Sequence, residues 1–404
     1  MASSFGWMDT DESQRRKVLE IVELFKEEGT VDELGIGSIR DTFANALFPG
    51  TSVLHTRLRY VLFIPWLLAR SAKEATPEDM AKAMRRHEIS LIDALLKNDQ
   101  QGVIGQQARR NLKRFPSAVY WAQMAEWEIR TGDGGRLTMS SFYRHAHAVR
   151  SLNRRALATD DVETRDAPLR LHLDPELPPP PDDLLTSTTF DLTSEEESYL
   201  SIKIAEATEG SLLSWLITNQ PALGHDYVWE LDTSVIVEMS PRNQRLIDHG
   251  RRFHTAIHGA SLLYNLLLSE ATRSEEGIEH YRLLLEEWKG EMSETSAMEE
   301  WSRVDFWATV TRENPRLSVS TRQFVDNWLD IIVKSSDVAD NPSARSLIKN
   351  RELGIKRGRA RLANPTALDG WRGASGLVRL DYRWGVTQRL LSDLFASREM
   401  SGAA

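Results

Sequence analysis

The sequence predicts a mostly α-helical protein with two helical lobes, a Pro-rich connector between them and a basic C-terminal arm. Three observations lead to this prediction. Apolar residues recur every three to four positions, helix-start signals precede many of these stretches, and four consecutive prolines occupy residues 178–181. We expect an N-terminal helical domain over residues 1–157, a linker over 158–193, a central helical domain over 194–340 and a basic segment over 341–404.

In the N-terminal domain, the apolar run over residues 60–69 predicts a buried core helix. It is shorter than the roughly 20 apolar residues that span a membrane, and arginines flank it closely. Pro65 is expected to kink or break this helix. Thr76 followed by Pro77 marks the start of a further helix, with threonine as the N-cap, that runs to about Lys97. The same periodicity predicts helices over residues 13–28, 107–115, 118–130 and 140–157.

The connector has a composition of its own, with the prolines of residues 178–181 followed by aspartates and then by serine and threonine. Consecutive prolines cannot continue a helix or a central strand, and they favour an extended, semi-rigid segment. We interpret this stretch as a domain boundary. A proline-recognition motif is the functional alternative.

Helical signals resume after the connector. Thr193 with Glu196 forms a capping-box pattern. A Ser-Pro pair opens a long helix over about residues 240–270, which is apolar on most sides and should lie centrally in its domain. Residues 227–237 contain β-branched side chains, but no second strong strand pattern lies nearby, so we expect helix or loop there. Ser320 is expected to cap the second of two further helices, over residues 274–288 and 320–333.

Composition narrows the class of protein. The chain has 404 residues, 41% apolar and 27% charged, which is ordinary for a soluble globular protein. The absence of cysteine excludes disulfides, thiolate catalysis and cysteine-ligated zinc, and it fits a cytoplasmic location. Residues 1–12 lack the basic and apolar regions of a signal peptide. We therefore expect no membrane association.

Catalytic signatures are missing from the sequence. It contains no Gly-rich phosphate loop, nucleophile elbow, His-x-Lys phosphodiesterase motif or dinucleotide fingerprint. Adjacent acidic residues occur in residues 195–197, 286–287 and 299–300, but in hydrophilic helix contexts that would not shift their pKa values. The sequence therefore favours a protein that binds over one that catalyses, and we expect no cofactor.

The basic segment is the strongest functional signal. Residues 341–361 carry seven Lys or Arg against one acid, Glu352, and seven minus one gives a local charge of +6 on a chain of −9. Gly354 and Gly358 are expected to interrupt any helix, so that the cations project from a partly flexible arm that binds DNA or RNA through counterion release. Aromatic residues beside arginine are typical of single-strand stacking sites. The predicted nucleic-acid-binding residues are Arg345, Lys349, Arg351, Lys356, Arg357, Arg359, Arg361, Trp371, Arg372, Arg383 and Trp384.

Other interpretations of the basic residues stay open. In one alternative the arm is simply solvated, and in another it docks on the acidic stretch 286–300 of the same or another subunit. Arg57 and Arg59 read as phosphate contacts or, as we favour, as partners of acidic residues around the apolar run. Residues 109–114 either extend the basic footprint or form a solvated helix face.

A histidine pair provides the metal candidates. His254 and His258 are four residues apart on one face of the predicted long helix, a spacing that can hold a metal ion. Thr255 stands where a zinc-protease helix places glutamate, and no third ligand lies close in sequence. We favour structural roles for both histidines and predict no metal site.

Several characteristic phrases are spread along the chain, over residues 4–9, 39–43, 48–52, 56–60, 65–66, 258–265, 359–365 and 380–384. Together they resemble a family of full-length bacterial proteins whose domain has no known function. Members of that family look like companions of helicases and phospholipase D-like proteins in phage-defence neighbourhoods, and the resemblance carries over no catalytic motif.

The resemblance and the basic segment together predict a non-catalytic, nucleic-acid-associated accessory subunit of a bacterial anti-phage defence or DNA-processing system. A protein partner from the same system is expected. A helical scaffold that binds proteins, and a nuclease with an unrecognised site, are the alternatives.

Overall fold

The structure is a computed structural model that describes residues 32–132, 137–158, 171–335 and 337–402. These ranges contain fifteen α-helices and no β-strand, and one isolated antiparallel bridge joins Arg130 and Leu173. The predicted all-α class is therefore confirmed. The helix predicted over residues 13–28 lies outside the described residues.

The α-helices are named here in chain order. They are α1 (Gly37–Leu47), α2 (Tyr60–Ser71), α3 (Pro77–Lys97), α4 (Pro116–Glu126), α5 (Met139–Ala158), α6 (Ser194–Ala207), α7 (Leu212–Asn219), α8 (Thr233–Val237), α9 (Pro241–Ala271), α10 (Glu275–Glu294), α11 (Arg303–Glu313), α12 (Val319–Lys334), α13 (Pro342–Lys356), α14 (Pro365–Leu368) and α15 (Trp384–Gly402).

The described residues divide into two compact units, each assembled from separate stretches of the chain. The first unit comprises residues 32–42 and 248–380, and the second comprises 43–247 and 381–402. This division cuts across the boundaries predicted from sequence. Both flanks of the Pro-rich connector belong to the second unit, where the Trp66 indole donates to the carbonyl of the buried Pro178 at 2.7 Å.

Helix α2 is the apolar centre of the second unit, and the predicted core helix is confirmed. Every residue from Tyr60 to Leu68 is buried, and the helix continues through Pro65 to Ser71. The proline therefore does not break the helix; its missing N–H removes one backbone hydrogen bond, which the surrounding apolar burial outweighs. In the described ranges, no helix is both long enough and apolar enough to cross a membrane.

Two predicted helix starts are confirmed at the level of individual hydrogen bonds. Thr76 Oγ1 accepts from the Asp79 backbone N–H at 3.1 Å. Thr193 Oγ1 accepts from the Glu196 N–H at 3.2 Å, and Glu196 Oε2 accepts in return from the Thr193 N–H at 3.1 Å. Both starts follow from local sequence because a capping side chain reaches only the next three residues.

Two local predictions are wrong. Ser318, not Ser320, caps α12, because nothing between the two serines breaks a helix and the longer helix gains backbone hydrogen bonds. Residues 107–115 form only a 3₁₀ turn over Arg109–Asn111. Arg109 adopts a left-handed backbone with φ of 43°, and Phe115 is extended before Pro116, where the α conformation is disfavoured.

Helix α9 runs from Pro241 to Ala271, as predicted, and its part in the first unit is packed by two tryptophans. The Trp288 indole donates to the Thr255 carbonyl at 2.7 Å, and the Trp328 indole donates to the Ala256 carbonyl at 2.8 Å. A Cβ at Gly259 would lie 2.5 Å from the Trp288 ring. Glycine at this position is therefore required for the approach of Trp288, which explains part of the phrase over residues 258–265.

Glu88 on α3 is a buried acid that the sequence did not signal. It is 3% exposed, and its Oε1 accepts from the Ser117 backbone N–H, in the first turn of α4, at 2.7 Å. Burial raises the pKa of Glu88 to about 7. The group therefore holds its proton in the folded second unit at pH values where the unfolded chain has lost it.

We expect Glu88 to lower the free energy of unfolding as the pH rises from about 4.5 to 7, because the folded-state pKa is the higher one. At about 1.4 kcal/mol for each pKa unit, the ionised form costs up to about 3.5 kcal/mol. Glu88→Gln should remove this loss and stabilise the protein at pH 8, as measured by urea unfolding across the pH range.

Glu78→Gln, an exposed change on the same helix, is the matched control and should leave the pH profile unchanged. The comparison with wild type is essential because burial lowers the pKa of His55 to about 4, which contributes a slope of opposite sign below pH 6.5. A Glu88→Gln variant with the wild-type pH profile would show that Glu88 is ionised at no cost.

Candidate nucleic-acid interface

The basic segment folds as α13 followed by a 3₁₀ turn over Arg357–Arg359. Asn341 caps the helix by accepting two backbone N–H groups of its first turn, at 2.9 and 3.1 Å. The prediction that Gly354 interrupts the helix is wrong, because α13 continues through it to Lys356. A glycine inside a helix costs only about 1 kcal/mol, and the buried Glu352 holds the helix against the first unit.

Four cations of this segment are engaged inside the first unit. They are Arg345, Arg351, Lys356 and Arg361. Arg345 pairs with Glu270 and donates to the Ala339 carbonyl at 2.6 Å. The Arg351 guanidinium donates to the carbonyls of residues 34 and 35 at 2.8 and 3.0 Å. These two arginines therefore join α13 to the rest of its unit.

Lys356 and Arg361 belong to a buried ionic cluster with Glu33, Tyr264 and Glu352. Glu352 Oε1 accepts from the Tyr264 hydroxyl at 2.6 Å, from the Arg361 backbone N–H at 2.9 Å and from Lys356 Nζ at 3.2 Å. Glu33 pairs with Lys356 and accepts from Arg361 Nη1 at 3.1 Å. Two carboxylates thus balance two cations, which is the condition for keeping such charges out of water.

This cluster has a structural role. Glu352 is fully buried and Glu33 is 4% exposed, so neither carboxylate can meet a ligand. Burial and the hydrogen bond to Glu352 raise the pKa of Tyr264 well above its usual range, which keeps the hydroxyl protonated as a donor. Arg361 also donates to Ser375 Oγ at 2.5 Å. The cluster therefore fixes both ends of the turn that follows α13.

The other three cations of the segment, Lys349, Arg357 and Arg359, face solvent, and so does Arg372 beyond it. These four residues are here called the outward cations. All four are exposed, and among the described residues no hydrogen bond or ion pair engages their side chains. The turn that presents two of them is held by the Asn364 side chain, which donates to the Gly358 carbonyl at 2.6 Å. Within the described part of the first unit, a fixed turn therefore presents guanidinium groups that no carboxylate engages.

Three other predicted site residues have different surroundings. Trp371 is half-buried, and its buried indole nitrogen has no hydrogen-bond partner in the part of the chain that is described. Trp384 is fully buried in the second unit and donates to the His225 carbonyl at 3.0 Å. Arg383 Nη1 donates to Asn45 Oδ1 at 2.8 Å. Arg383 and Trp384 are thus committed to internal contacts.

Close packing at Gly259 and the hydrogen bond of Trp384 thus explain parts of the phrases over residues 258–265 and 380–384. A model of a family of unknown function, DUF6361, matches residues 2–397. The chain belongs to the DUF6361 family. No curated protein and no solved structure matches it.

One histidine of the pair, His254, is engaged in hydrogen bonds and is not a free metal ligand. His254 Nδ1 lies 2.9 Å from the Leu380 carbonyl and must donate to it, so Nε2 is the acceptor facing Arg379 Nη1 at 3.2 Å. Both ring nitrogens of His254 are thus engaged in hydrogen bonds. Burial lowers the pKa of His258 to about 3. Among the described residues no group of three or more His, Cys, Asp or Glu side chains is placed to hold a metal ion.

Arg57 and Arg59 pair with carboxylates, as the favoured interpretation predicted, but both carboxylates lie far along the chain from the apolar run. Arg57 pairs with Asp393 at 2.9 Å, and Arg59 pairs with Glu196 at 2.7 Å. Glu196 is 3% exposed, so the prediction that residues 195–197 lie in a hydrophilic context is wrong for it. Sequence proximity could not reveal the pair, because its members are 137 residues apart.

Sequence reasoning also missed Glu33, Tyr264 and Ser375 as partners of the basic segment. One signal was present: Glu352 is the single acid in the segment and lies four residues before Lys356, a spacing at which helical side chains meet. Nothing local identified the other partners. They come from α9, from the stretch before α1 and from the loop after α14.

Proposed function

We propose that this DUF6361 protein binds the phosphate backbone of DNA or RNA. We further propose that it does so in the bacterial cytoplasm, as a non-catalytic accessory subunit of an anti-phage defence or DNA-processing system with a protein partner. The observation that carries the proposal is the division of the cations of the basic region. Internal carboxylates and carbonyls hold one group, and the outward cations have no such partner among the residues that the structure describes.

The outward cations suit a polyanion better than a single small ion. They are distributed from Lys349 on α13 through the turn to Arg372 beyond α14, so they present separated charges along one stretch of chain. Each phosphate neutralised by a cation releases counterions, and this gain in entropy supplies sequence-independent affinity. Guanidinium groups also match phosphate geometry with two parallel hydrogen bonds. Trp371, beside Arg372, offers a ring for stacking if the ligand is single-stranded.

We expect wild-type protein to bind single-stranded DNA with an affinity that falls steeply between about 50 and 200 mM salt. Arg357→Ala with Arg359→Ala should weaken binding roughly 10–100-fold at about 100 mM salt, and should reduce the slope of log affinity against log salt by about 2. Fluorescence anisotropy with labelled single-stranded DNA, duplex DNA and RNA measures both quantities and ranks the three ligands.

Arg273→Ala with Lys334→Ala is the matched control. Both residues are exposed in the first unit, Arg273 just after α9 and Lys334 at the end of α12, and the variant has the same change of charge. It should retain the wild-type slope. Absence of binding by the wild type at about 50 mM salt, or equal losses in the two double variants, would refute the proposal. Shortened DNA after incubation would instead favour the nuclease alternative.

A protein-binding scaffold is the second candidate, and one observation favours it. Leu353 and Ile355 on α13 are 47% and 39% exposed, beside the outward cations. Apolar side chains within a basic surface are common in protein interfaces. Leu353→Ser with Ile355→Ser should then abolish co-purification of a partner from the native host and leave DNA binding intact. The reverse result favours nucleic acid.

A further inference from the structure

A second basic surface lies in the second unit, on the loop between α3 and α4. Residues 105–115 contain four exposed cations and no acid; they are Arg109, Arg110, Lys113 and Arg114. Arg85 on α3 adds a fifth exposed cation, and its guanidinium lies 4.9 Å from the centre of the Phe115 ring. The nearby acid Asp93 is 3.5 Å from Arg109, and both side chains are at least half exposed. Such a pair contributes at most about 1 kcal/mol, so a phosphate can compete for Arg109.

Hydrogen bonds and close packing hold this loop in place. The Ile104 backbone N–H donates to the hydroxyl of the buried Tyr60 at 3.0 Å. The Arg109 N–H donates to the Gly105 carbonyl at 2.7 Å. A Cβ at Gly105 would lie 2.7 Å from Leu112, so the loop closes tightly over itself. Fixed backbone of this kind positions side chains for binding at a low entropic cost.

Between this loop and α3 lies a cleft of about 390 Å³, here called the α3 cleft. Its lining consists of Ile89, Asp93, Gln107, Ala108, Arg109, Arg110 and Asn111. The volume falls within the range of small-molecule sites, roughly 300–1,000 Å³, and exceeds what an inorganic phosphate fills. The cleft combines two guanidinium groups, two neutral amides, one carboxylate and an aliphatic surface.

We propose that the α3 cleft binds a nucleoside phosphate, either a free nucleotide or one nucleotide of a nucleic-acid strand. Arg109 and Arg110 bind the phosphate. The base lies against Ile89, where the amides of Gln107 and Asn111 can donate to and accept from its edge. Asp93, released from Arg109, accepts from a sugar hydroxyl. An acidic peptide would leave the amides and the aliphatic surface without a role.

This site is independent of the outward cations, which belong to the first unit. The test therefore uses full-length protein that already carries Arg357→Ala and Arg359→Ala. Isothermal titration with adenosine monophosphate, adenosine, inorganic phosphate and an adenosine oligoribonucleotide of about ten residues, which keeps the same base and a free 2′-hydroxyl, covers the possible ligands. We expect the monophosphate to bind at least about tenfold more tightly than adenosine or phosphate alone, because charged and neutral contacts both contribute.

Variants assign the roles within the cleft. Arg109→Ala with Arg110→Ala should weaken monophosphate binding at least about tenfold. Gln107→Ala with Asn111→Ala should weaken the monophosphate but leave phosphate binding unchanged. Arg70→Ala with Lys73→Ala, two exposed cations at the end of α2, is the charge-matched control and should bind as the background does. Circular dichroism confirms that each variant is folded.

The outcomes separate the sources of the ligand. Equal affinity for the monophosphate and the oligonucleotide identifies a free nucleotide, and tighter oligonucleotide binding with the same losses identifies a strand. The proposal is overturned if neither ligand binds, if inorganic phosphate binds as well as the monophosphate, or if the Arg109 and Arg110 changes have no effect. Failure of DNA binding through the outward cations leaves this test intact.

Discussion

Glu352→Ala is expected to lower the free energy of unfolding of the first unit by about 3–5 kcal/mol. The carboxylate is fully buried and accepts hydrogen bonds from Tyr264, Lys356 and the backbone of residues 361 and 362. Removing it leaves two half-buried cations to share the buried Glu33, and leaves two backbone donors without an acceptor. Desolvated charge without compensation is among the most costly defects in a folded protein.

Urea unfolding followed by circular dichroism measures the effect. Glu352→Gln should cost less than alanine, because the amide oxygen still accepts from Tyr264. Asp340→Asn is the matched control in the same unit, since Asp340 is 70% exposed in its pair with Arg282 and should contribute under about 1 kcal/mol. A loss at Glu352 no larger than that at Asp340 would mean that the cluster is solvated and not a structural anchor.

Arg59→Ala is expected to cost a similar amount, about 3–5 kcal/mol, in the second unit. The side chains of Arg59 and Glu196 are 6% and 4% exposed and join at 2.7 Å. Arg59 also donates to the Thr189 carbonyl at 2.9 Å. The alanine variant leaves the buried Glu196 carboxylate without its cation and the Thr189 carbonyl without this donor. It also removes the guanidinium that lies 5.4 Å from the centre of the Phe63 ring.

A double-mutant cycle isolates the pair. Arg59→Met with Glu196→Leu should cost clearly less than the sum of the two single changes, because apolar replacements leave no uncompensated charge. Arg86→Ala, which removes an exposed 3.5 Å contact with Glu74, is the control and should change stability by under about 1 kcal/mol. Additive effects of the two single changes would show that Arg59 and Glu196 do not interact. Unchanged DNA binding by Arg59→Met would place Arg59 outside any nucleic-acid site.

The elements that the sequence predicted well are those determined by local interactions. Thr76 and Thr193 cap helices because their hydroxyls reach the N–H three residues ahead. The apolar run from residue 60 had to be buried wherever it lay. The predictions that failed were those in which two local preferences opposed each other. The periodicity of residues 107–115 allowed a helix, but Pro116 prevented it. Gly354 favoured a helix end, but buried side chains such as Glu352 stabilised α13 beyond it.

Prediction of the site was limited for a related reason, since the partners of its cations are not local in sequence. The seven cations of residues 341–361 look alike in the sequence, and they were all assigned to nucleic acid. Four of them are engaged by groups that lie far away along the chain, such as Glu33, which is 323 residues from Lys356. Pairings across such distances depend on the complete packing of helices, and no local pattern in the sequence encodes them.

The sequence by itself determined the helical class, the buried run of α2, the principal helix starts and the presence of an unusual concentration of positive charge. Only the tertiary structure decided which of those charges are available to a ligand. The physical reason is that a charge is free or committed according to whether a carboxylate lies within a few ångströms in space. Burial of Glu352 and Glu33 determines that Lys356 and Arg361 stabilise the first unit, whereas Arg357 and Arg359, a few residues away, face solvent.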